Sequence, residues 1–108
     1  MSTVGYAAEQ LTLAVRYLAV TDGNVRDRFR RVANERILWI PAGDLPEDLR
    51  SEVDDLKKSV TCQPPTNGED KVTPTIAALT DEEIRTLIDK VLDICFRVRA
   101  IARASPPA

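Results

Sequence analysis

The stretch "TDEEIRTLIDKVLDICFRVRAIAR", Thr80 to Arg103, decides the fold. Its apolar residues Ile84, Leu87, Ile88, Val91, Cys95, Val98 and Ala102 recur at threes and fours, the spacing of one helix face. The opening "TDEE" is a capping box: the Thr80 hydroxyl can accept from the Glu83 amide, and the Glu83 carboxylate from the Thr80 amide. Arg97, Arg99 and Arg103 lie toward the far end, where a helix presents its negative pole. Together these features predict a helix over 81–103.

Working outward, three more segments have a helical period. Residues 3–20 place Val4, Ala7, Leu11, Ala14, Val15 and Leu18 on one stripe, which "TDG" at Thr21 to Gly23 breaks. A second helix is expected over 24–40. Asn24 caps it, Asp27 suits its positive end, and its stripe is Val25, Phe29, Val32, Ala33, Ile37 and Ile40; Pro41 and Gly43 stop it. A third, over 45–60, follows "GDLPEDL", with Asp44 as the expected cap and Pro46 in the first turn. "TCQPPTNGEDKVTP", Thr61 to Pro74, holds three prolines and an Asn-Gly, and reads as a loop. "TPTIAAL" can add one helical turn, with Thr73 as its cap. The closing "SPPA" should fray. Alternating strand patterns on either side of a turn dipeptide are missing. The expected fold is all-α: a single domain over 1–108, a four-helix antiparallel bundle with a long Pro/Gly-containing loop before the last helix.

Composition narrows the function. Apolar residues make up 44% and charged residues 30% of 108, which suits a globular chain that needs no staples. The net charge of −2 argues against a generic nucleic-acid binder. Histidine is absent, which removes the commonest general base and the commonest metal ligand. Cys62 and Cys95 have no CxxC-type neighbour, so no zinc site is expected and both read as free thiols in a reducing compartment. "MSTVGYAAEQ" lacks the basic start of a signal peptide, and "ILWIPA" is too short to cross a bilayer. A cytoplasmic protein without cofactor, metal or membrane contact is the expectation. No nucleophile elbow, P-loop or dinucleotide fingerprint occurs.

Two surfaces invite a partner. "NVRDRFRRVANER", Asn24 to Arg36, carries five arginines. Arg26, Arg28, Arg30 and Arg31 form a candidate basic patch, but they ring the helix, with Asp27 and Glu35 interleaved. A solvated helix pairing with the acidic third helix ("PEDLRSEVDD") explains them better than phosphate contact. Arg36 falls inside the apolar arc, where it either makes a buried ion pair or lies at a frayed helix end. The second surface is on helix one. Tyr6, Leu13, Tyr17 and Val20 form a line roughly 120° from the Leu11–Leu18 line. Phe96 also points off its own stripe, near Leu92. Tyr6, Leu13, Tyr17 and Phe96 are therefore candidate interface residues.

The run "VRDRFRRVANERILWIPAGDLPEDLRSEVDDLKKSVT" resembles small bacterial all-helical proteins of about this length that share a "DLPxxLR" helix start. The resemblance covers roughly Tyr6 to Val98. It implies the fold and a bacterial source, and no activity. Where those proteins carry a "GDEG"-like piece, this chain has "NGED". The sequence thus leads to a non-catalytic protein that binds another protein or a second copy of itself as a homodimer. The alternative is a nucleic-acid-associated regulator using the Arg-rich second helix.

Overall fold

A computed structural model describes residues 4–64 and 71–104. These residues form five α-helices and no strand: α1 (Val4–Val20), α2 (Val25–Glu35), α3 (Glu47–Ser59), α4 (Val72–Ala78) and α5 (Asp81–Ala104). One turn of 3-10 helix, Ile37–Trp39, follows α2. The all-helical class agrees with the periodicity, but the expected four helices become five. The Asn67-Gly68 step and the closing "SPPA" lie outside the described residues.

The expected second helix stops early for a local reason. Ile40 precedes Pro41 and is held extended at φ −67° and ψ 119°, as a residue before proline prefers. Upstream, the chain tightens: the Trp39 amide donates to the Arg36 carbonyl at 3.1 Å and the Ile40 amide to the Ile37 carbonyl at 3.2 Å. Three residues per turn point Ile37 and Ile40 the same way, and both are buried while Trp39 faces out. Asn24 caps α2 as expected, its side-chain oxygen accepting from the Asp27 amide at 2.9 Å. The expected Asp44 cap of α3 is corrected: Pro46 occupies that position and α3 starts at Glu47. The single turn expected at "TPTIAAL" is a seven-residue helix, α4. It begins at Val72, so Lys71 and not Thr73 precedes it.

The direction of the helices follows from their end contacts. Arg31 meets Tyr17 and Arg36 meets Gln10, so residues farther along α2 meet residues farther back on α1, and the two helices run antiparallel. Arg26 reaches Asp81 at the start of α5, so the end of α1 and the start of α5 lie at the same pole. Hence α5 also runs antiparallel to α1, its principal packing partner. α3 lies against another side of α5. One continuous core joins all five helices, with Leu11, Phe29, Val53, Ile76, Ile84 and Val98 among its buried side chains. The α1–α2 turn needs Gly23, whose φ of 106° lies in the left-handed region.

Candidate functional site

The arginine stretch is largely committed to the chain's own structure. Arg26 donates through Nη1 to the carbonyls of Ile76 (2.6 Å) and Leu79 (2.7 Å), and through Nη2 to Asp81 Oδ1 (2.7 Å). It closes the end of α4 and ties it to the starts of α2 and α5. Arg28 Nη1 donates to the Thr21 carbonyl at 3.1 Å. Arg31 Nη1 donates to the Tyr17 hydroxyl at 3.1 Å, which raises the Arg31 pKa above its ordinary value. Arg30 is half-buried, and its side chain makes no hydrogen bond or ion pair among the described residues. Arg28, Arg30 and Arg31 border one pocket with Tyr17 and Asp27, while Arg26 lies apart from them beside Asp81 and Arg85.

The expected pairing of these arginines with α3 is corrected as well. The acids of α3 turn to α5 instead. Glu52 Oε2 meets Arg97 Nη1 at 2.5 Å, Asp48 meets Arg97 Nη2 at 3.4 Å, and Lys90 meets Glu52 Oε1 at 3.4 Å. Arg97 also pairs with Asp93 one turn back, at 3.1 Å. Among the described residues Arg36 makes no ion pair. It is half-buried, and its Nη1 donates to the amide oxygen of buried Gln10 at 3.0 Å. α2 stops at Glu35 and Arg36 caps its end, the position that the second of the two readings gave it.

The four candidate interface residues fall on two different surfaces. Leu13 and Tyr17 are half-buried and line a cleft between α1 and α2 with Val32 and Arg36. Tyr6 continues that line and is 53% exposed. Phe96 is 71% exposed and lies on the opposite flank of α1, in a cleft with Val15, Leu92, Arg99 and Arg103. Leu92, one turn before Phe96, is 43% exposed. Burial of the inner stripe leaves these two as adjacent apolar side chains on the outer face of the longest helix. Arg99 and Arg103 beside them form no ion pair among the described residues.

The two thiols differ in the way their positions dictate. Cys95 is buried on the inner stripe, and desolvation raises its pKa, against smaller lowering effects of Thr12 and Arg99. Cys62 is exposed, at the rim of a shallow groove of about 650 Å³ whose walls include Lys58, Leu79, Glu82 and Leu87. The capping box at Thr80 forms as the sequence predicts: the Thr80 amide donates to Glu83 Oε1 at 2.9 Å and the Glu83 amide to Thr80 Oγ1 at 3.1 Å. The Thr80 amide first, and the Thr80 hydroxyl second, hold the Glu83 carboxyl below its ordinary pKa by hydrogen bonding to its charged form. Among the described residues no group of three Cys, Asp or Glu side chains is placed to hold a metal ion, and no helix is long and apolar enough to cross a membrane.

Comparison with known proteins finds no matching family model, no similar curated protein and no similar solved structure.

Proposed function

We propose that the chain is a non-catalytic docking module that binds another polypeptide through the outer face of α5, working in a reducing compartment such as the cytoplasm. In this reading the four longer helices act as a bundle-like scaffold. The observation that carries it is the pair Leu92 and Phe96, exposed side by side next to Arg99 and Arg103, which form no ion pair among the described residues. Adjacent apolar side chains with a charged rim are what a small protein-contact surface presents. The Arg-rich α2 supports the nucleic-acid alternative less well, because Arg26, Arg28 and Arg31 already donate within the chain.

The test is affinity purification from the source cells with three tagged forms: the unchanged chain, Phe96→Glu and Tyr6→Glu. Phe96→Glu should lose a stoichiometric protein partner that Tyr6→Glu retains. Loss from both forms, or from neither, would reject the α5 face as the contact surface.

A further inference from the structure

The outer face of α5 is more regular than an isolated apolar pair. Arg85, Asp89, Leu92, Phe96, Arg99 and Arg103 are spaced four, three, four, three and four residues apart, and every one of them is exposed. Alternating threes and fours make the seven-residue repeat of a helix seam that packs against another helix. The inner stripe of α5 is already covered by α1, α2 and α3. This second row lies along the flank of α5 beside α1, where Leu92, Phe96, Arg99 and Arg103 border a cleft with Val15, and its side chains stay exposed.

Charge along the helix is polarised too. Residues 81–90 hold four acids against two bases, and residues 91–104 hold one acid against three bases. A helix acidic in its first half and basic in its second complements its own copy laid antiparallel. The row has a matching centre. Reversal about a point between Leu92 and Phe96 brings Leu92 opposite Phe96 of the copy, and Phe96 opposite Leu92. The same reversal brings Asp89 opposite Arg99, twice over. Neither Asp89 nor Arg99 has an ion-pair partner among the described residues. The outermost match, Arg85 opposite Arg103, is unfavourable alone. Exposed Glu82, one turn before Arg85, lies on the same side and offsets it.

We propose that a second copy of the chain covers this row. The two α5 helices then cross antiparallel about a two-fold axis, with Leu92 and Phe96 at the centre and an Asp89–Arg99 pair on each side. Two-fold pairing is the commonest homo-oligomer symmetry, and it makes each favourable contact occur twice. The inference rests on the docking reading above and names the partner as the chain itself. The centre is only two apolar residues per copy, so the association is weak and concentration-dependent.

Sedimentation equilibrium of the purified chain tests it. A monomer–dimer equilibrium should appear between micromolar and millimolar concentration. Phe96→Glu should remove the dimer while circular dichroism stays helical. Asp89→Arg alone and Arg99→Asp alone should each weaken the dimer about tenfold, since two exposed pairs are lost. Mixing those two variants should restore association, because each 89–99 contact then joins opposite charges. The double variant Asp89→Arg/Arg99→Asp should also dimerise. A chain that stays monomeric at millimolar concentration overturns the proposal. So does a dimer that survives Phe96→Glu, or one that mixing fails to restore. If Phe96→Glu unfolds the chain, the charge-exchange variants, which touch only exposed positions, decide alone. A monomer that still captures a Phe96-dependent protein from cells would refute self-pairing and leave the docking function standing.

Discussion

Replacing Arg26 with alanine is the most informative single test of how the fold closes. Its guanidinium spans three elements, donating to the Ile76 and Leu79 carbonyls and to the Asp81 carboxylate. Both carbonyls lie at the end of α4, where the Ile76 carbonyl also accepts from the Leu79 amide at 3.3 Å. Each bond to them, from a side chain 32% exposed, should contribute about 1 kcal/mol net. Asp81 is 78% exposed, so its arm is screened and contributes less than about 1 kcal/mol. Arg26→Ala should therefore cost about 2–3 kcal/mol, or about 10–20 °C in Tm for a chain of this size. Asp81→Ala should cost under about 1 kcal/mol. Arg26→Lys should fall between, because an ammonium keeps the charge but lacks the planar fork. Urea unfolding followed by circular dichroism measures all three, with an unchanged m value showing that only stability moved. An Arg26→Ala loss below about 0.5 kcal/mol, or one equalled by Asp81→Ala, would refute the carbonyl clamp.

Other predictions follow from the same contacts. A thiol reagent should label Cys62 at once and Cys95 only on unfolding, since one is exposed and the other buried with a raised pKa; equal rates in the folded state would contradict this packing. Glu83 has a lowered pKa in the fold, so its contribution is complete above the ordinary glutamate value of 4.5 and fades as the pH falls through the lower folded value. Stability measured against pH should lose that acid-side slope in Glu83→Gln, and an unchanged slope would remove Glu83 from the account. Arg28→Ala/Arg31→Ala should leave nucleic-acid binding in a gel-shift assay as weak as in the unchanged chain; sub-micromolar, salt-dependent binding that this change abolishes would restore α2 as a nucleic-acid surface. Phe29→Ala, at a fully buried site, should cost about 3–5 kcal/mol, and a stable folded variant would show that α2 is not integral to the core.

Helices with their own start signals and an unbroken stripe were the legible part. Asn24 and the Thr80–Glu83 box act where the sequence places them. The misreadings share a cause. At Ile37–Trp39 the apolar residues fit a continued α-helix, yet Pro41 imposes extended backbone on Ile40 and the chain tightens before it. Periodicity alone does not weigh that cost. At α4, Val72 and Ile76 are four apart and buried, but the prolines ahead of them mask so short a helix. Thr75 fastens it: its hydroxyl donates to the Lys71 carbonyl at 2.7 Å and accepts from the Gln63 amide at 3.0 Å. No local pattern announces a contact twelve residues apart.

The arginines show why charge-bearing residues are harder to read than apolar ones. An apolar residue has one favourable destination, the core, and its spacing reveals the face that reaches it. An arginine has several: water, a carboxylate, a carbonyl at a helix end, or an amide. Arg26, Arg31, Arg36 and Arg97 find a carbonyl, a hydroxyl, an amide oxygen and carboxylates respectively. Which one each finds depends on how helices distant in sequence are placed. The same holds on α5, where Arg99 and Arg103 satisfy the helix pole in the sequence and flank an exposed Leu92–Phe96 pair in the fold. Both roles fit one helix, because complementing the pole constrains position along the axis and flanking a seam constrains angle around it. Periodicity drew attention to the buried stripe, and of the outer row the sequence singled out only Phe96, near Leu92, as an interface candidate. Only the packing of α1, α2 and α3 on α5 shows which of its residues stay exposed, and that row is among them.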